Sequence, residues 1–484
     1  MNHLIISPIL LPAVLAGLMV LLRGSLSLQR GLSLLGSLAL LGLAIQIALQ
    51  ASAGPQSYFL GNWPAPFGIA LVADRLSALM LVLTAGLGVI VLIHVISTGW
   101  DRRGKHFHTL FLFQLMGLNG AFLTADAFNL FVFFEVLLIA SYGLMVHGGG
   151  RERLRAGVQY VAFNLLGSSL FLIALATIYA VTGTLNMADL ATKLPDLPAG
   201  DTALLRVAAV LLMMVFAIKA AMVPLQFWLP ATYANAPAPV AALFAVMTKV
   251  GAYALIRFGT LVFPTDLPAT GTLMQDLMQP AALITMAVGG FGVLGSRDLP
   301  KLVAFSALGS MGTLLLAVAA FTPVATGAAL YYLIHSTLAM AALFLISDIT
   351  PHRRDGLIAA LYMVAAVAMA GMPPLSGFIG KILILDALRD QAPLAWSFIL
   401  LSSLLTMLGL ARMGSDLFWK DDEPERASSR TTPFSPVATG LSVAALAALT
   451  LGAGPITAWL TQAASDLHAP AAYIESLKLQ GPQS

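Results

Sequence analysis

Apolar runs of about twenty residues, the length at which an α-helix crosses the hydrocarbon core of a bilayer, follow one another along the chain. Short loops separate them and hold most of the charged side chains. Hydropathy predicts about fourteen spans, at residues 3–22, 28–50, 70–98, 107–123, 127–147, 157–182, 203–229, 240–262, 276–296, 300–320, 327–349, 357–388, 395–414 and 435–460. The chain is therefore predicted to be an all-α, polytopic membrane protein.

The composition strengthens this interpretation. Of the 484 residues, 59% are hydrophobic and only 10% are charged, whereas a soluble domain carries about a quarter charged residues. A soluble all-α protein with a large core is the disfavoured alternative. The lack of cysteine excludes disulfides and thiolate metal sites, including cysteine-ligated iron–sulfur clusters.

The basic residues indicate how the chain is oriented. The first apolar run has no lysine or arginine before it and Arg23 after it, the reverse of a signal peptide, so we interpret it as the first span. Most of the 25 lysine and arginine residues lie in loops that follow odd-numbered spans. Because cytoplasmic loops are enriched in Lys and Arg, both termini are predicted to lie outside the cytoplasm.

Two spans are interrupted by proline, which removes a backbone donor and breaks a helix. The seventh span contains Pro224 and Pro230, and the twelfth contains Pro373 and Pro374. Broken helices at corresponding positions of two halves are typical of transporters built from inverted repeats, with the transport path at the breaks. The pattern predicts three N-terminal helices, two five-helix repeats, a cytoplasmic loop and a last helix with its tail, at residues 1–106, 107–262, 263–414, 415–434 and 435–484.

Several ionisable side chains lie deep within spans, where a charge is costly and usually serves ion movement. They are Glu135 in span five, Lys219 in span seven, Lys249 in span eight, His335 in span eleven and Lys381 in span twelve. Any one of them can be structural, because a buried lysine can bond helix carbonyls at a break and a buried histidine can be a satisfied core residue. The set as a whole favours an ion path.

The chemistry of these side chains suits proton transfer. Desolvation favours the neutral amine, so a buried lysine can load and release a proton, and Glu135 beside Lys219 would favour the charged form again. An imidazole titrates near neutrality, so His335 suits a relay between Lys249 and Lys381. Nearby hydroxyl groups either hold water along this path or bond their own helix backbone. They belong to Ser168, Ser169, Thr248, Ser306, Ser310, Ser336 and Thr337.

The remaining charges within spans have simpler interpretations. Asp74 and Arg75 are adjacent at the start of a span and are expected to anchor the helix end, while Asp348 borders the cytoplasm. Asp386 follows Lys381 closely and either pairs with it or faces the outer exit. The loop histidines show no metal-ligand pattern. Nothing in the sequence indicates a cofactor, covalent catalysis or a nucleic-acid partner.

Three stretches resemble the antiporter-like membrane subunits shared by respiratory complex I, membrane-bound hydrogenases and Mrp-type multisubunit cation/proton antiporters. Within that group they are most similar to the D-type subunits of Mrp antiporters, and the likeness covers nearly the whole chain. The stretches are D-A-F-N-L-F-V-F-F-E-V-L-L-I-A-S-Y-G-L (126–144), V-T-G-T-L-N-M-A-D-L (181–190) and A-I-K-A-A-M-V-P-L-Q-F-W-L-P-A-T-Y-A-N-A-P-A-P-V-A-A-L (217–243).

This resemblance implies the predicted helix count, the two inverted repeats and a hydrophilic axis in the middle of the membrane. The family's proton-transfer positions fall on Glu135, Lys219, Lys249, His335 and Lys381. One departure concerns the histidine. Many relatives carry another basic residue soon after it, whereas here H-S-T-L-A-M-A-A-L-F is neutral after its first residue. Water or hydroxyl groups would have to bridge that gap.

The resemblance further implies a proton-translocating subunit of a multisubunit Na⁺/H⁺ or other monovalent-cation antiporter, with no enzymatic activity of its own. Protons would pass from Glu135 and Lys219 through Lys249 and His335 to Lys381. The expected setting is the bacterial inner membrane, with subunits of types A, B, C, E, F and G as partners. One alternative is a proton-pumping membrane subunit of respiratory complex I or of a membrane-bound hydrogenase. A second is a stand-alone solute transporter, which would need a substrate pocket at the midplane.

Overall fold

The computed structural model describes residues 3–198, 200, 202–419 and 435–479. The N-terminal elements are α1 (Ser7–Leu21), α2 (Leu26–Ala51), the antiparallel strands β1 (Gln56–Phe59) and β2 (Ala70–Ala73), and α3 (Arg75–Thr98). The third predicted span, 70–98, therefore starts as a strand, because a short apolar run can form either a strand or a helix. Its helix begins after Asp74, whose carboxylate accepts a hydrogen bond from the Ser77 N–H at 2.9 Å.

The predicted first repeat, 107–262, contains one broken helix and one α-helix that continues as a π-helix. Its elements are α4 (Phe107–Leu123), α5 (Ala127–Met145), α6 (Arg151–Thr182), α7 (Met187–Lys193), α8 (Thr202–Ala220), α9 (Trp228–Asn235), α10 (Ala238–Phe244), α11 (Met247–Arg257) and a π-helical segment (Phe258–Val262). The predicted seventh span is divided into α8 and α9, with Pro224 between them. The predicted eighth span runs through α10, α11 and the π-helical segment.

The predicted second repeat, 263–414, contains the second broken helix. Its elements are α12 (Leu273–Gly295), α13 (Leu299–Val318), α14 (Pro323–Ile349), α15 (Gly356–Ala370), α16 (Ser376–Ala387) and α17 (Ala392–Phe418). The twelfth span breaks between α15 and α16, at the segment that holds Pro373 and Pro374. Gly371 ends α15 with a φ of 79°, and a Cβ there would lie 2.6 Å from Cδ of Lys381. Only glycine fits this position, because the lysine side chain passes directly over it.

The C-terminal part differs from the prediction of one helix over 435–460. It forms α18 (Ser435–Leu451), α19 (Ala453–His468) and α20 (Ala471–Ser476). The axes of α18 and α19 differ by 78° across Gly452. Pro455 has no backbone N–H with which to continue α18, but a proline is tolerated in the first turn of a new helix. The predicted cytoplasmic loop, 415–434, starts as the last turn of α17, and its residues 420–434 lie outside the described residues.

The prediction of an all-α, polytopic membrane protein is confirmed. In the described part of the chain, 10 helices are long and apolar enough to cross a bilayer, or up to 11 if the bent α18–α19 pair is one span. Helices α1, α4 and α15 are apolar but shorter. The predicted count of about fourteen crossings and the inverted-repeat relation of the two halves stay predictions.

The interior of the molecule is formed by helices that carry polar residues. The most apolar 18-residue windows of the α10–α11 span and of α14 are 100% and 94% buried, whereas those of α2 and α17 are 33% and 28% buried. The outer helices therefore present leucine-rich faces outward. The central helices, which hold Lys249 and His335, are enclosed by protein on all sides.

Candidate functional site

The ionisable residues predicted from the sequence lie in the interior of the helix bundle. Lys219, Lys249, His335 and Lys381 are 6%, 0%, 1% and 8% exposed, and Glu135 is half-buried. His335 is close enough to Lys249 and Lys381 to interact with both charges, and Lys219 interacts with Glu135 in the same way. The structure thus brings the residues together in two groups, Glu135 with Lys219, and Lys249 with His335 and Lys381.

Glu135 and Lys219 are connected through two side chains of α6. The Ser168 hydroxyl donates a short hydrogen bond to the Glu135 carboxylate and lies 3.0 Å from the Asn164 carbonyl oxygen. Nζ of Lys219 donates to Oδ1 of Asn164 at 2.9 Å. The acid and the ammonium group are therefore bridged by neutral groups. Asn164 was missed by the sequence analysis, although a fully buried amide four residues before Ser168 in an apolar span is a signal for it.

Lys219 occupies the last turn of α8, next to the helix break. The polar backbone groups that the break frees are satisfied by neighbours, as the interior of a membrane protein requires. Nε1 of Trp228 donates to the Ile218 carbonyl at 2.9 Å, and the Val223 N–H donates to the Thr285 hydroxyl at 2.9 Å. The break is thus held in place from α9 and α12, and the position of Lys219 is fixed with it.

The two groups of residues meet where α8 and α11 approach each other most closely. A Cβ on Gly251 would lie 2.5 Å from the Ala220 nitrogen and 2.9 Å from the Lys219 carbonyl carbon. Any larger residue at this position would push the two helices apart. Glycine therefore keeps the backbone of Lys219 against the helix that carries Lys249.

Lys249 lies at the centre of the molecule with a weakly polar partner. Its Nζ is 3.0 Å from the thioether sulfur of Met311 on α13, and a thioether is only a weak acceptor. On the same helix, the Ser306 hydroxyl is buried and has no hydrogen-bond partner among the described residues. Unsatisfied buried donors are often paired with water. The hydrogen-bond partner that the structure gives the ammonium group of Lys249 is thus a weak and uncharged acceptor.

His335 contacts the second helix break. Its Nδ1 lies 2.9 Å from the Ser376 hydroxyl, in the first turn of α16. A Cβ on Gly377 would lie 2.8 Å from Nε2 of His335, so the ring is packed directly against the start of α16. Tyr332 flanks the imidazole from the same helix, with 5.7 Å between the ring centroids. The histidine is positioned between the helix of Lys381 and the interior near Lys249.

Lys381 bonds to the end of the broken helix. Its Nζ donates to the carbonyl oxygen of Ala370, the last residue of α15, and to the Ser403 hydroxyl, both at 2.8 Å. A cation at a helix C-terminus interacts favourably with the helix dipole. Asp386 pairs with Arg389 and not with Lys381, so of the two expectations for this aspartate the pairing with Lys381 is not observed.

Several of these hydroxyl groups bond a carbonyl of their own helix, which is one of the two expected roles; the other, holding water, stays a prediction. Ser168 bonds the carboxylate of Glu135, as described above. Ser169 is exposed and bonds the carbonyl of Leu165 in its own helix. Ser336 and Thr337 both donate to the Leu333 carbonyl, at 3.2 and 2.8 Å. The two hydroxyl groups that follow His335 therefore donate to a backbone carbonyl of their own helix.

Away from these five residues, other charged side chains form ion pairs. Asp74 pairs with Arg257, at 2.7 Å, in addition to capping α3, and Arg75 pairs with Asp466. At the other end of α3, Asp348 contacts Nε2 of His94 at 2.9 Å. The predicted anchoring role of Asp74 and Arg75 thus extends to α11 and α19. In the described residues, no three His, Asp or Glu side chains are grouped as metal ligands.

Asp101, in the loop between α3 and α4, is the centre of another such cluster. Nε and Nη2 of Arg30 donate to its two carboxylate oxygens at 2.6 and 2.7 Å, and Nε2 of His108 lies 3.2 Å from Oδ2. Burial alone would raise the pKa of Asp101. The bonds to Arg30 and His108 outweigh burial and hold that pKa below its usual range.

An all-α membrane protein with two broken helices and buried charges beside the breaks is, as a class, an ion-transport subunit. Residues 124–408 match the family model described as NADH:quinone oxidoreductase/Mrp antiporter, TM. The chain belongs to that family. It is 40% identical to the D-type subunit of a probable K⁺/H⁺ antiporter of Rhizobium meliloti (strain 1021), over 100% of this chain and 99% of the relative. It is 38% identical to the D-type subunit of the Na⁺/H⁺ antiporter of Bacillus subtilis (strain 168), over 99% of each.

Solved structures agree with these relatives. The fold is similar to a chain of the Mrp complex from Dietzia sp. DQ12-45-1b, with a TM-score of 0.90 and 27% identity over 99% of this chain and 100% of that one. It is also similar to a chain of respiratory complex I from Thermus thermophilus, with a TM-score of 0.81 and 26% identity over 99% and 100%. The predicted family, the D-type antiporter subunits related to complex I, is confirmed.

Proposed function

We propose that this chain is the proton-translocating subunit of a multisubunit monovalent-cation/proton antiporter. Protons move between Glu135 and Lys219 at one end of the path and Lys381 at the other, through Lys249 and His335. Na⁺ is the cation expected to be exchanged, with K⁺ as the variant that one relative's name suggests. The complex lies in the bacterial inner membrane with both termini of this subunit outside the cytoplasm. Its partners are the other antiporter subunits, of types A, B, C, E, F and G.

The observation that carries this proposal is the kind of partner that the interior charges have. Lys219 contacts an amide oxygen, Lys249 a thioether, and Lys381 a carbonyl and a hydroxyl. Each of these partners can accept a hydrogen bond from an ammonium group or from a neutral amine. A lysine in such a site can change protonation state without leaving a buried counter-charge unpaired. This is what a relay needs and what a purely structural ion pair does not provide.

The test is replacement of Lys249 with alanine in the intact complex. We expect assembly to be preserved, because the partner of Lys249 is an apolar methionine that tolerates the loss. Sodium-driven proton movement in everted vesicles should be abolished. The matched control is Ser169→Ala, on the outer face of α6, which should exchange normally. Near-normal exchange by Lys249→Ala would contradict the relay.

Two alternatives make different predictions in the same assay. A redox-driven subunit of the complex I type would show no sodium-driven exchange even in the unmodified complex. Three relatives, 40%, 38% and 32% identical over nearly the whole chain, carry antiporter subunit names, which favours the antiporter. A stand-alone transporter would be active when this chain is produced without partner subunits, whereas the proposed subunit would be inactive.

A further inference from the structure

A cavity of about 210 Å³ lies at the face of the protein where α2 ends and α3 begins. In the proposed orientation this is the outer face. Exposed residues of the chain, Ala53, Ala469 and Ala472, line part of it, and Thr260 of the π-helical segment lies in its wall. A water molecule occupies about 30 Å³ in the liquid. The cavity therefore has room for several waters and is accessible from one side of the membrane.

The deep end of this cavity is formed by a buried ion pair between α3 and α11. Nη1 of Arg257 lies 2.7 Å from Oδ2 of Asp74, and Nη2 lies 2.8 Å from Oδ1, which is a bidentate arrangement. Nη2 is also 3.4 Å from the hydroxyl of Ser77, one turn further into the membrane. Tyr473 of α20 covers the guanidinium group, with its ring centroid 4.9 Å away.

The polar groups that line the cavity suit water better than a bare cation. Nε of Arg257 and Nε of Arg75 are buried and have no hydrogen-bond partner within the described ranges, and both residues line the cavity. Guanidinium donors require an acceptor oxygen. The two acids in the lining, Asp74 and Asp466, are each paired with an arginine, so no carboxylate is left free for a bare cation.

The ion pair stands between this cavity and the central lysine. Lys249, Tyr253 and Arg257 are four residues apart on α11 and lie along one side of the helix. At 1.5 Å per residue, Arg257 is about 12 Å from Lys249 along the helix axis. Tyr253 fills the space between them: its ring centroid is 5.6 Å from Cζ of Arg257, and its hydroxyl donates to the Phe122 carbonyl at 2.7 Å.

We propose that the cavity is an outer aqueous vestibule and that the Asp74–Arg257 pair is the seal that separates its water from Lys249. The bidentate pair ties α3 to α11 at the depth where water would otherwise follow the side of α11 inward. The assignment of a seal against protons rests on the proposed function, whereas the aqueous vestibule does not.

Cysteine labelling tests the vestibule and the seal independently of transport. The natural chain has no cysteine, so a single introduced thiol is the one reactive site in this subunit. Thr260→Cys should react with a membrane-impermeant thiol reagent added to right-side-out vesicles. Ser77→Cys, behind the ion pair, should be protected. Adding Asp74→Asn to Ser77→Cys should expose it, at a rate comparable with Thr260→Cys.

Asp74→Asn is a suitable variant because asparagine caps a helix as well as aspartate does. The start of α3 therefore stays intact while the charge that holds Arg257 is removed. Co-purification of the partner subunits checks that the complex still assembles. Protection of Thr260→Cys from the outside would overturn the vestibule, as would labelling only in everted vesicles. Unchanged protection of Ser77→Cys by Asp74→Asn would overturn the seal.

A proton-leak measurement tests what the seal does. Asp74→Asn should accelerate the collapse of a pH gradient in everted vesicles without added cation. Asp466→Asn is the matched control, because it removes the other acid of the cavity and leaves the Asp74–Arg257 pair in place. An equal leak in both variants, or none in either, would contradict the seal. If the unmodified complex shows no exchange at all, the proposed function fails while the labelling result still decides the vestibule.

Discussion

Buried charges in this protein occur in two settings that differ in their partners. In the interior of the helix bundle, the ammonium groups of Lys219, Lys249 and Lys381 contact neutral acceptors. Near the helix ends, buried charges are held in direct ion pairs such as Arg257–Asp74 and Arg30–Asp101. An opposite charge favours the ionised form of a group, whereas a neutral acceptor tolerates both forms of an amine. The comparison separates residues that can exchange protons from residues that hold helices together.

After Lys249→Ala, the largest effect on transport is expected for Glu135→Gln. Glutamine is nearly the same size and can still accept the hydrogen bond from Ser168, so only the charge is removed. The exchange rate should fall by about tenfold or more, which corresponds to about 1.4 kcal/mol in the barrier. Exchange in everted vesicles, normalised to assembled complex, measures this. Unchanged exchange would mean that the half-buried carboxylate is structural and that the distinction between the two settings does not hold for this acid.

The opposite outcome is expected for Arg30→Met, at an ion pair near a helix end. Asp101 is buried, but Arg30 is only half-buried and His108 stays as a second partner, so the loss should cost about 1–2 kcal/mol. The thermal stability of the complex should drop while exchange per assembled complex stays normal. The thermal midpoint should also become less sensitive to acid. Asp101 stabilises the protein above its usual pKa, and this contribution is lost as the pH falls through its lowered pKa. Without Arg30 that pKa moves back up, so the variant starts with less of this stabilisation and has less to lose on acidification.

The control for this variant is Arg23→Met, which removes an exposed arginine nearby. It should leave both the thermal midpoint and its pH dependence unchanged, because surface charges contribute little. Equal destabilisation by the two variants would show that the Arg30–Asp101 pair has no special role.

A smaller effect is expected for Asn164→Ala, which removes the amide between Lys219 and the Ser168 hydroxyl. The charges of Glu135 and Lys219 remain, so the exchange rate should fall by only about threefold, which corresponds to about 0.7 kcal/mol in the barrier. Ser169→Ala, one residue after Ser168 and exposed, is the control. Equal rates for the two variants would place Asn164 outside the path.

The sequence was sufficient to find the five ionisable residues of the proposed path but not their partners, and it did not single out Arg257, which is 2% exposed. Ionisable residues are easy to recognise within apolar runs because their neighbours are all hydrophobic. Each of the five residues of the proposed path lies where a span was predicted. Their partners depend on which helices meet. That Lys249 faces Met311 on α13, or that Lys381 reaches the carbonyl of Ala370, follows from packing across long sequence separations. No local pattern contains that information.

The differences in secondary structure have local causes that hydropathy cannot resolve. Residues 70–73 are apolar and were assigned to a helix, yet they pair with β1 as a strand. The break at Gly452 divides a run that is apolar on both sides, so the hydropathy profile shows no minimum at the break. The prolines at 224, 373 and 374 gave a stronger signal, because a missing donor breaks a helix whatever surrounds it.

The complete burial of the span from Ala238 to Val262 has a consequence for biogenesis. This segment leaves the ribosome before α13 and α14, which enclose it in the finished protein. It carries Lys249 and Arg257, and inserting a helix with two cationic side chains into the lipid bilayer is energetically unfavourable. We expect the earlier helices α3, α4 and α8, which pack against it in the folded chain, to shield its charges until the second half of the chain is made. Synthesis order, and not only stability, constrains where such a lysine can be placed.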